Sequence, residues 1–394
     1  MENTNNVPRL RFPRFTDAWE QREFGNIAQR LSETAVSCDE LPYIEYEDVV
    51  SNQGILNKDV SAKEGKKTGI IFSEENVLYG KLRPYLHNWL NPDFKGVAVG
   101  DWWVLKPINA DKNFLYRLIQ SDNFDNVANQ STGTKMPRAD WKLVSATEFC
   151  LPKSLEEQAK IGHYFTDLDN LITLHQRRCD KLEEYKKAML QKIFSQELRF
   201  KREDGTDYPE WKDCILSDYC EEIKASIDPK KYPNDSFLEY SMPAFDMGKI
   251  PNNVIGRDMN SNRKVVNYPC VLINKLNVRK KRIWKVLKPM SNSVCSAEFI
   301  PVKSDKMSID FLECLALSDR FTARLLDCST GTSNSQKRVT PNIIMDMSVS
   351  IPCLEEQQKI ADFLSALDEA ISYAKQELDK WKELKKGLLQ QMFV

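Results

Sequence analysis

Apolar residues recur every three or four positions along two stretches of this chain, and the two stretches match. Towards the C-terminal end, Ile360, Leu364, Leu367, Ile371, Ala374, Leu378 and Trp381 are spaced 4-3-4-3-4-3. In the middle, Ile161, Phe165, Leu168, Ile172, His175, Cys179 and Leu182 keep the same spacing and phase. Such a seam, flanked by Glu, Lys, Arg and Gln, predicts helices that pair along an a/d stripe. Aligned without a gap, Leu155–Phe194 and Leu354–Phe393 are identical at 17 of 40 positions and open on LEEQAKI and LEEQQKI, 199 residues apart. Each segment is expected to form a helix of roughly 35–40 residues, about 55 Å long at the usual rise. Ser154 with Glu157 reads as a capping box for the first helix; Cys353 in place of Ser154 gives the second a weaker cap.

Outside these stretches the pattern changes to short β-type runs, such as GIIF, VLYG, VAVGDWWVL, CVLIN and SVSIP, separated by polar turns. These regions are duplicated too. STGT at 131–134 returns at 329–332, and Pro152 and Pro352 stand just before the two repeats. LRFPRFTDAWEQREFG from Leu10 matches LRFKREDGTDYPEWKDCILS from Leu198, with Trp19 facing Trp211. NVLYGKLRPYL matches CVLINKLNVRK. An internal repeat of this length fixes the architecture. The fold class expected is α/β (α+β), with two similar globular domains joined by two long antiparallel coiled-coil helices in a pseudo-twofold repeat. The domains are read as 1–150, then a spacer helix at 151–197, a second globular domain at 198–350 and a second spacer helix at 351–394.

Composition narrows the class. With 394 residues, 41% hydrophobic and 29% charged, the chain has the make-up of an ordinary globular protein with room for several cores. No segment has the run of about 18 apolar residues that a membrane span needs, and the first residues do not read as a secretory signal, so a cytoplasmic protein is expected. Ten cysteines contain no C-x-x-C pair, and only three histidines are present. Reduced thiols and no metal site are therefore expected. A net charge of -1 excludes a uniformly basic nucleic-acid binder. The distribution is uneven, however: Met259 to Ala297 has no acidic residue but holds Arg263, Lys264, Lys275, Arg279, Lys280, Lys281, Arg282, Lys285 and Lys288. One strongly positive face is expected there.

The duplicated order of globular region, LP…LEEQ helix, globular region and IP…LEEQQKIA helix resembles the specificity (S) subunit of type I restriction-modification systems. PRLRFPRFTDAWEQREFG, YGKLRPYL, STGTKMPR and LKKGLLQQMF carry the resemblance, which spans essentially the whole chain. It implies two target recognition domains, each reading one half of a bipartite sequence in double-stranded DNA. It also implies paired helices that dock two methyltransferase (M) subunits, with two restriction (R) subunits completing the nuclease. The S subunit would itself be non-catalytic and carry no cofactor; S-adenosylmethionine, ATP and Mg would sit on the partner subunits.

DNA readers need groups for phosphates and groups for base edges. STGTKMPR offers Ser131, Thr132, Thr134, Lys135 and Arg138, and STGTSNSQKR offers Ser329, Thr330, Thr332, Lys337 and Arg338, in the same place in each half. Alone, either would be a plain polar turn. YGKLRPYL adds Tyr79, Lys81 and Arg83; INKLNVRKKRIW adds Asn274, Lys275, Asn277, Arg279, Lys280, Lys281 and Arg282. Arginine and asparagine are the side chains that pair bidentately with guanine and adenine. Glu156, Glu157, Glu355 and Glu356, at the helix starts, are candidates for partner docking, although they would also suit the helix dipole.

Little points to catalysis. NPDF at Asn91–Phe94 lacks the second proline of the adenine methyltransferase motif [D/N]PP[F/Y], and EGKKTG at Glu64–Gly69 lacks the first glycine of a phosphate loop. His163 and His175 lie on the first long helix and read as surface or packing residues. A protein-interaction scaffold with two modules on a coiled rod and no role on DNA is the alternative, and the basic window argues against it.

Overall fold

The computed structural model describes residues 7–130, 135–331 and 336–394. They divide into two compact units, one made of the described residues up to 177 together with 375–394 and the other of those from 178 to 374. The two predicted long helices are Leu155–Phe194 and Leu354–Met392. Each contributes its first part to one unit and the remainder to the other.

Unit 1 contains two four-stranded sheets. In the first, Ala28–Leu31, Trp102–Pro107, Val77–Gly80 and Trp89–Leu90 run antiparallel in that order. In the second the order is Thr34–Val36, Thr68–Phe72, Gly96–Ala98 and Tyr43–Ile44, the last pair parallel. The run VAVGDWWVL, continuous in sequence, thus serves two sheets. Gly100, with a φ of +95°, makes the turn between them, a conformation that side chains bearing a Cβ rarely adopt. Unit 2 repeats the plan. Glu221–Glu222, Phe299–Lys303, Cys270–Asn274 and Ile283–Val286 form the first sheet. Ser226–Ile227, Arg263–Val265, Ser293–Cys295 and Ser236–Tyr240 form the second, with Asn252–Ile255 added at its edge. A two-stranded ribbon closes each unit, Glu20–Glu23 with Glu148–Leu151 and Lys212–Ile215 with Ser348–Ile351.

The helix halves pair antiparallel within each unit. In unit 1, Asp169 meets Lys385 and His175 lies against Trp381, while Ile161, Phe165 and Leu168 share a core with Leu388, Met392 and Phe393. In unit 2, Ile193 and Phe194 pack with Ile360 and Leu364, and Lys186 pairs with Asp368. The heptad stripe therefore faces inward along both helices. Gly162 allows the short helix Lys112–Leu118 to sit tight on the first: a Cβ there would come within 2.6 Å of the Asn113 Cβ.

LEEQ locks each helix start to the segment LRFxR. The second glutamate is buried in both copies, Glu157 at 2% and Glu356 at 0% exposure. Arg11 donates Nε and an Nη to Glu157 at 2.7 and 2.8 Å, and the Trp19 indole N–H donates to it at 3.3 Å. Arg199 and Trp211 do the same for Glu356, at 2.9 and 3.1 Å for the closer contacts. The glutamine ties the helix to the short helix beside it: Gln158 accepts from the Asp111 N–H and donates to the Pro152 carbonyl. Gln357 does so with Ser308 and Pro352. Phe12 on Tyr164 and Phe200 on Phe363 complete the correspondence.

These contacts change two expectations. Ser154 caps the Glu157 N–H, but the Glu157 side chain turns to Arg11 and Trp19, so the reciprocal half of the capping box is absent. Glu157 and Glu356 cannot present a docking surface because a guanidinium and an indole cover them. Glu156 and Glu355 are exposed, beside Arg14 and Arg202. No disulfide forms among the described residues; burial pushes the Cys220 and Cys270 thiols up to about 12.

Replacing Glu356 by Ala should destabilise the chain by about 3 kcal/mol, because Arg199 and the Trp211 N–H lose their shared partner. Replacing exposed Glu355 by Ala should change stability by less than about 0.5 kcal/mol. Urea denaturation of the two variants measures the contrast, and equal losses would refute the lock.

Candidate nucleic-acid interface

In unit 1 the strands Val77–Gly80 and Trp89–Leu90 are joined by a loop that turns on one short helical turn, Pro84–Leu86. Arg83 and His87 bound that turn, both left-handed, with φ of 46° and 54°. Unit 2 builds the same loop between Cys270–Asn274 and Ile283–Val286, with Asn277 (φ 54°) and Lys281 (φ 44°) around Val278–Lys280. A non-glycine residue in this region stores on the order of 1 kcal/mol or more of strain. Two in each loop persist only because the surroundings hold them.

Those surroundings recur as well. The Arg83 N–H donates to the Pro137 carbonyl at 2.7 Å and the Ala139 N–H to the Lys81 carbonyl at 2.8 Å. In unit 2, Asn277 donates to Lys337 at 2.9 Å and Val339 to Lys275 at 3.0 Å. The residues that follow each STGT are thereby laced to the loop. On the other side His87 Nε2 lies 2.9 Å from Asp125, and Lys281 Nζ donates to Asp319 and to the Leu317 carbonyl. Tyr46 donates its hydroxyl to the Leu82 carbonyl, and burial pushes that hydroxyl up to about 12.

The cluster exposes Arg83, Lys135 and Arg138 in unit 1, with Tyr85 beside them, and Arg279, Lys280 and Arg338 in unit 2. Lys81, Lys275, Asn277 and Lys337 are half-buried. Ser329 donates its hydroxyl to the Leu326 carbonyl, and Thr330 exchanges backbone hydrogen bonds with Arg338. Ser131, Thr132, Thr134 and Thr332 lie outside the described residues.

Three of the sequence-based contact residues prove to be internal. Tyr79 is 2% exposed, stacked on Trp103 and edge-on to Phe124, so it packs the core instead of meeting a ligand. Asn274, 1% exposed, donates to the Leu276 carbonyl and accepts from the Arg282 N–H, shaping the loop from inside. Gly80 holds the equivalent place in unit 1, where a Cβ would strike Tyr46 and the Asn88 carbonyl. Arg282 is buried and makes a two-point pair with Asp246 at 2.8 and 2.6 Å.

The strongly positive face expected from the basic window is also corrected. The fold brings Glu239 to Arg263, Glu222 to Lys264, Asp319 to Lys281, Asp246 to Arg282, and Asp310 with Glu313 to Lys285. Lys275, Arg279, Lys280 and Lys288 have no ion-pair partner among the described residues. Sequence reasoning missed the carboxylates Asp101 and Glu298. Arg138 donates Nε and Nη2 to Asp101 at 3.0 Å each, with Lys81 at 3.6 Å, and Arg338 donates Nη2 to Glu298 at 2.8 Å. The Arg138 hydrogen bonds hold the Asp101 carboxyl below the usual range. The signal was available in their matching places, each just before the strand after the sheet-switching turn.

A profile of the family described as "Type I restriction modification DNA specificity domain" matches residues 17–184 and again 210–382. The chain belongs to this type I DNA specificity family. The specificity subunit of the type I restriction enzyme MjaVIII of Methanocaldococcus jannaschii is 23% identical over 430 residues, covering 98% of this chain and 94% of the relative. That of HindI of Haemophilus influenzae is 24% identical over 195 residues, 47% of this chain and 41% of the relative. Among solved structures, the type I restriction-modification S subunit from M. genitalium aligns with a TM-score of 0.58 at 12% identity, covering 98% of this chain and 99% of that one. A chain reported under "Structural basis underlying complex assembly and conformational transition of the type I R-M system" aligns at 0.61 and 17% identity, covering 95% and 97%. These structural likenesses show the fold. The two family matches fall on the two copies of the repeat, so this type I specificity subunit carries two DNA specificity domains. Among the described residues no helix is long and apolar enough to cross a membrane.

Because Arg83 is left-handed and exposed, Arg83→Gly should raise the stability of the free chain by up to about 1 kcal/mol. Thermal melting checks this; a loss of stability would show that the Arg83 side chain holds the loop.

Proposed function

We propose that the two loop clusters read the two halves of a bipartite target in double-stranded DNA, and that the chain directs methyltransferase and restriction partners to that target. The observation that carries this reading is the recurrence of one cluster on both specificity domains with different exposed side chains. Unit 1 exposes Arg83, Tyr85, Lys135 and Arg138, and unit 2 exposes Arg279, Lys280 and Arg338, with Asn277 half-buried where Arg83 stands in unit 1. A shared backbone frame with altered side chains suits two readers of different half-sites. The chain itself is proposed to be non-catalytic and cytoplasmic, with S-adenosylmethionine, ATP and Mg bound by its partners.

Two M subunits and two R subunits complete the proposed assembly. The surface we assign to M differs from the glutamates suggested by sequence. Leu155 and Leu354, Leu174 and Tyr373, and Tyr185 and Leu384 hold equivalent places on the two long helices, and all six are exposed. Exposed apolar side chains repeated in this way fit two copies of one partner. Lysine at both Leu174 and Tyr373 is expected to weaken assembly with the M subunit at least tenfold without shifting the melting temperature of the free chain. Analytical ultracentrifugation of the mixed subunits reads this, and intact assembly would exclude these residues.

Filter binding with the M subunit present tests the DNA reading. Sequence-dependent binding that falls steeply with salt is expected, and its absence would overturn the proposal. Alanine at Arg279 and Lys280 should impair only the half-site read by unit 2, since neither side chain has an ion-pair partner to lose among the described residues.

A further inference from the structure

We infer that Asp101 and Glu298 are positioning residues for base readout: each carboxylate holds an exposed arginine, Arg138 or Arg338, so that its free guanidinium edge meets a guanine. The inference rests on the proposal that the loop clusters face DNA. It goes further by naming which arginines read bases and what aims them.

At Arg138 the geometry is that of a side-on buttress. Asp101 takes Nε and Nη2 of Arg138 through both of its oxygens, at 3.0 Å each. Of the five guanidinium N–H groups this leaves the two on Nη1 and one on Nη2, a pair of parallel donors on the outer edge. Guanine presents two acceptors, O6 and N7, at the spacing such a pair matches, and no other base does so in the major groove. The arginine is not shut away by its partner. The Arg138 side chain remains 49% exposed and that of Arg338 51%, against 25% and 23% for the carboxylates that hold them.

The backbone beneath each arginine is fixed. Arg138 sits in a bridge with Leu82, and Arg338 in bridges with Leu276 and Thr330. A side chain anchored at its root and along one edge loses little freedom on meeting DNA, which favours discrimination over mere attraction. A carboxylate beside a phosphate-binding surface costs affinity for every duplex. Its recurrence in both halves, as Asp in one and Glu in the other, therefore needs a task, and orienting the guanidinium supplies one. Glu298 makes one bond to Arg338 where Asp101 makes two to Arg138, so the second arginine is aimed less tightly.

The test uses the chain assembled with its M subunit and duplexes carrying the target defined by methylome sequencing. Each half-site position is changed singly, and an unrelated duplex serves as reference. Asp101→Asn is expected to reduce discrimination at one guanine of the half-site read by unit 1 by on the order of tenfold, and Glu298→Gln to do so at one guanine of the other half-site. Binding to the unrelated duplex should hold or rise. Arg138→Lys keeps the charge but not the paired donors, and should lose the same position, so the inference remains testable if Asp101→Asn folds poorly. An equal change on every duplex would overturn the inference, since it would mean that the carboxylates only tune charge. So would unchanged discrimination in all three variants. If the unaltered complex shows no sequence preference, the DNA reading itself fails, an outcome distinct from both.

Discussion

A glutamate with almost no access to water, held by one arginine and one tryptophan, is the contact on which each half of this molecule is built. Glu157 with Arg11 and Trp19, and Glu356 with Arg199 and Trp211, join three separate stretches of chain at the start of a long helix. A buried carboxylate is tolerated only when its charge is paired and its oxygens are filled. That demand fixes where LRFxR, the tryptophan and the helix must meet. The neighbouring glutamine extends the constraint to the short helix that begins near Asp111 or Ser308, and so to the sheets behind it.

From that anchor the two loops proposed to read DNA inherit their position. Sheet strands run from the locked helix end to a loop that no isolated peptide would adopt, with two left-handed residues in five. Burial of Tyr79 and Asn274 below, and the His87–Asp125 hydrogen bond and the Lys281–Asp319 ion pair beside, keep the loop in place. The outer residues are then free to vary, and they do: Arg83 stands where Asn277 stands in the other half, and Tyr85 where Arg279 does. The division between a fixed frame and changeable tips is what a protein needs if its halves are to read different sequences.

Electrostatics in the second unit show why counts along the chain mislead. Nine basic residues without an acid between them looked like a single positive face, yet Glu222, Glu239, Asp246, Asp310 and Asp319 arrive from elsewhere to neutralise most of it. What stays unpaired among the described residues is smaller: Lys275, Arg279 and Lys280 at the loop and Lys288 beyond it, with Arg338 held by Glu298 near the loop. Compact positive charge on a fixed loop suits selection among sequences better than a diffuse basic face, which attracts every duplex alike.

The sequence by itself determined the duplication, the two long helices and the family, because a heptad period and a gapless repeat are local patterns that survive in one dimension. It also located both loops, since KLR and KLN recur at matching places. It could not tell Glu156 from Glu157, or Arg279 from Arg282: neighbours of the same charge differ only in which way they point. Nor could it reveal that Asp101 belongs with Arg138, or Glu298 with Arg338. Only the tertiary structure decided those, because burial and ion pairing are set by residues far away in the chain, brought together when the sheets close. LEEQ marks the difference most clearly. Read as letters it announced a helix and suggested a partner surface; folded, its second glutamate and its glutamine face inward and hold the protein together.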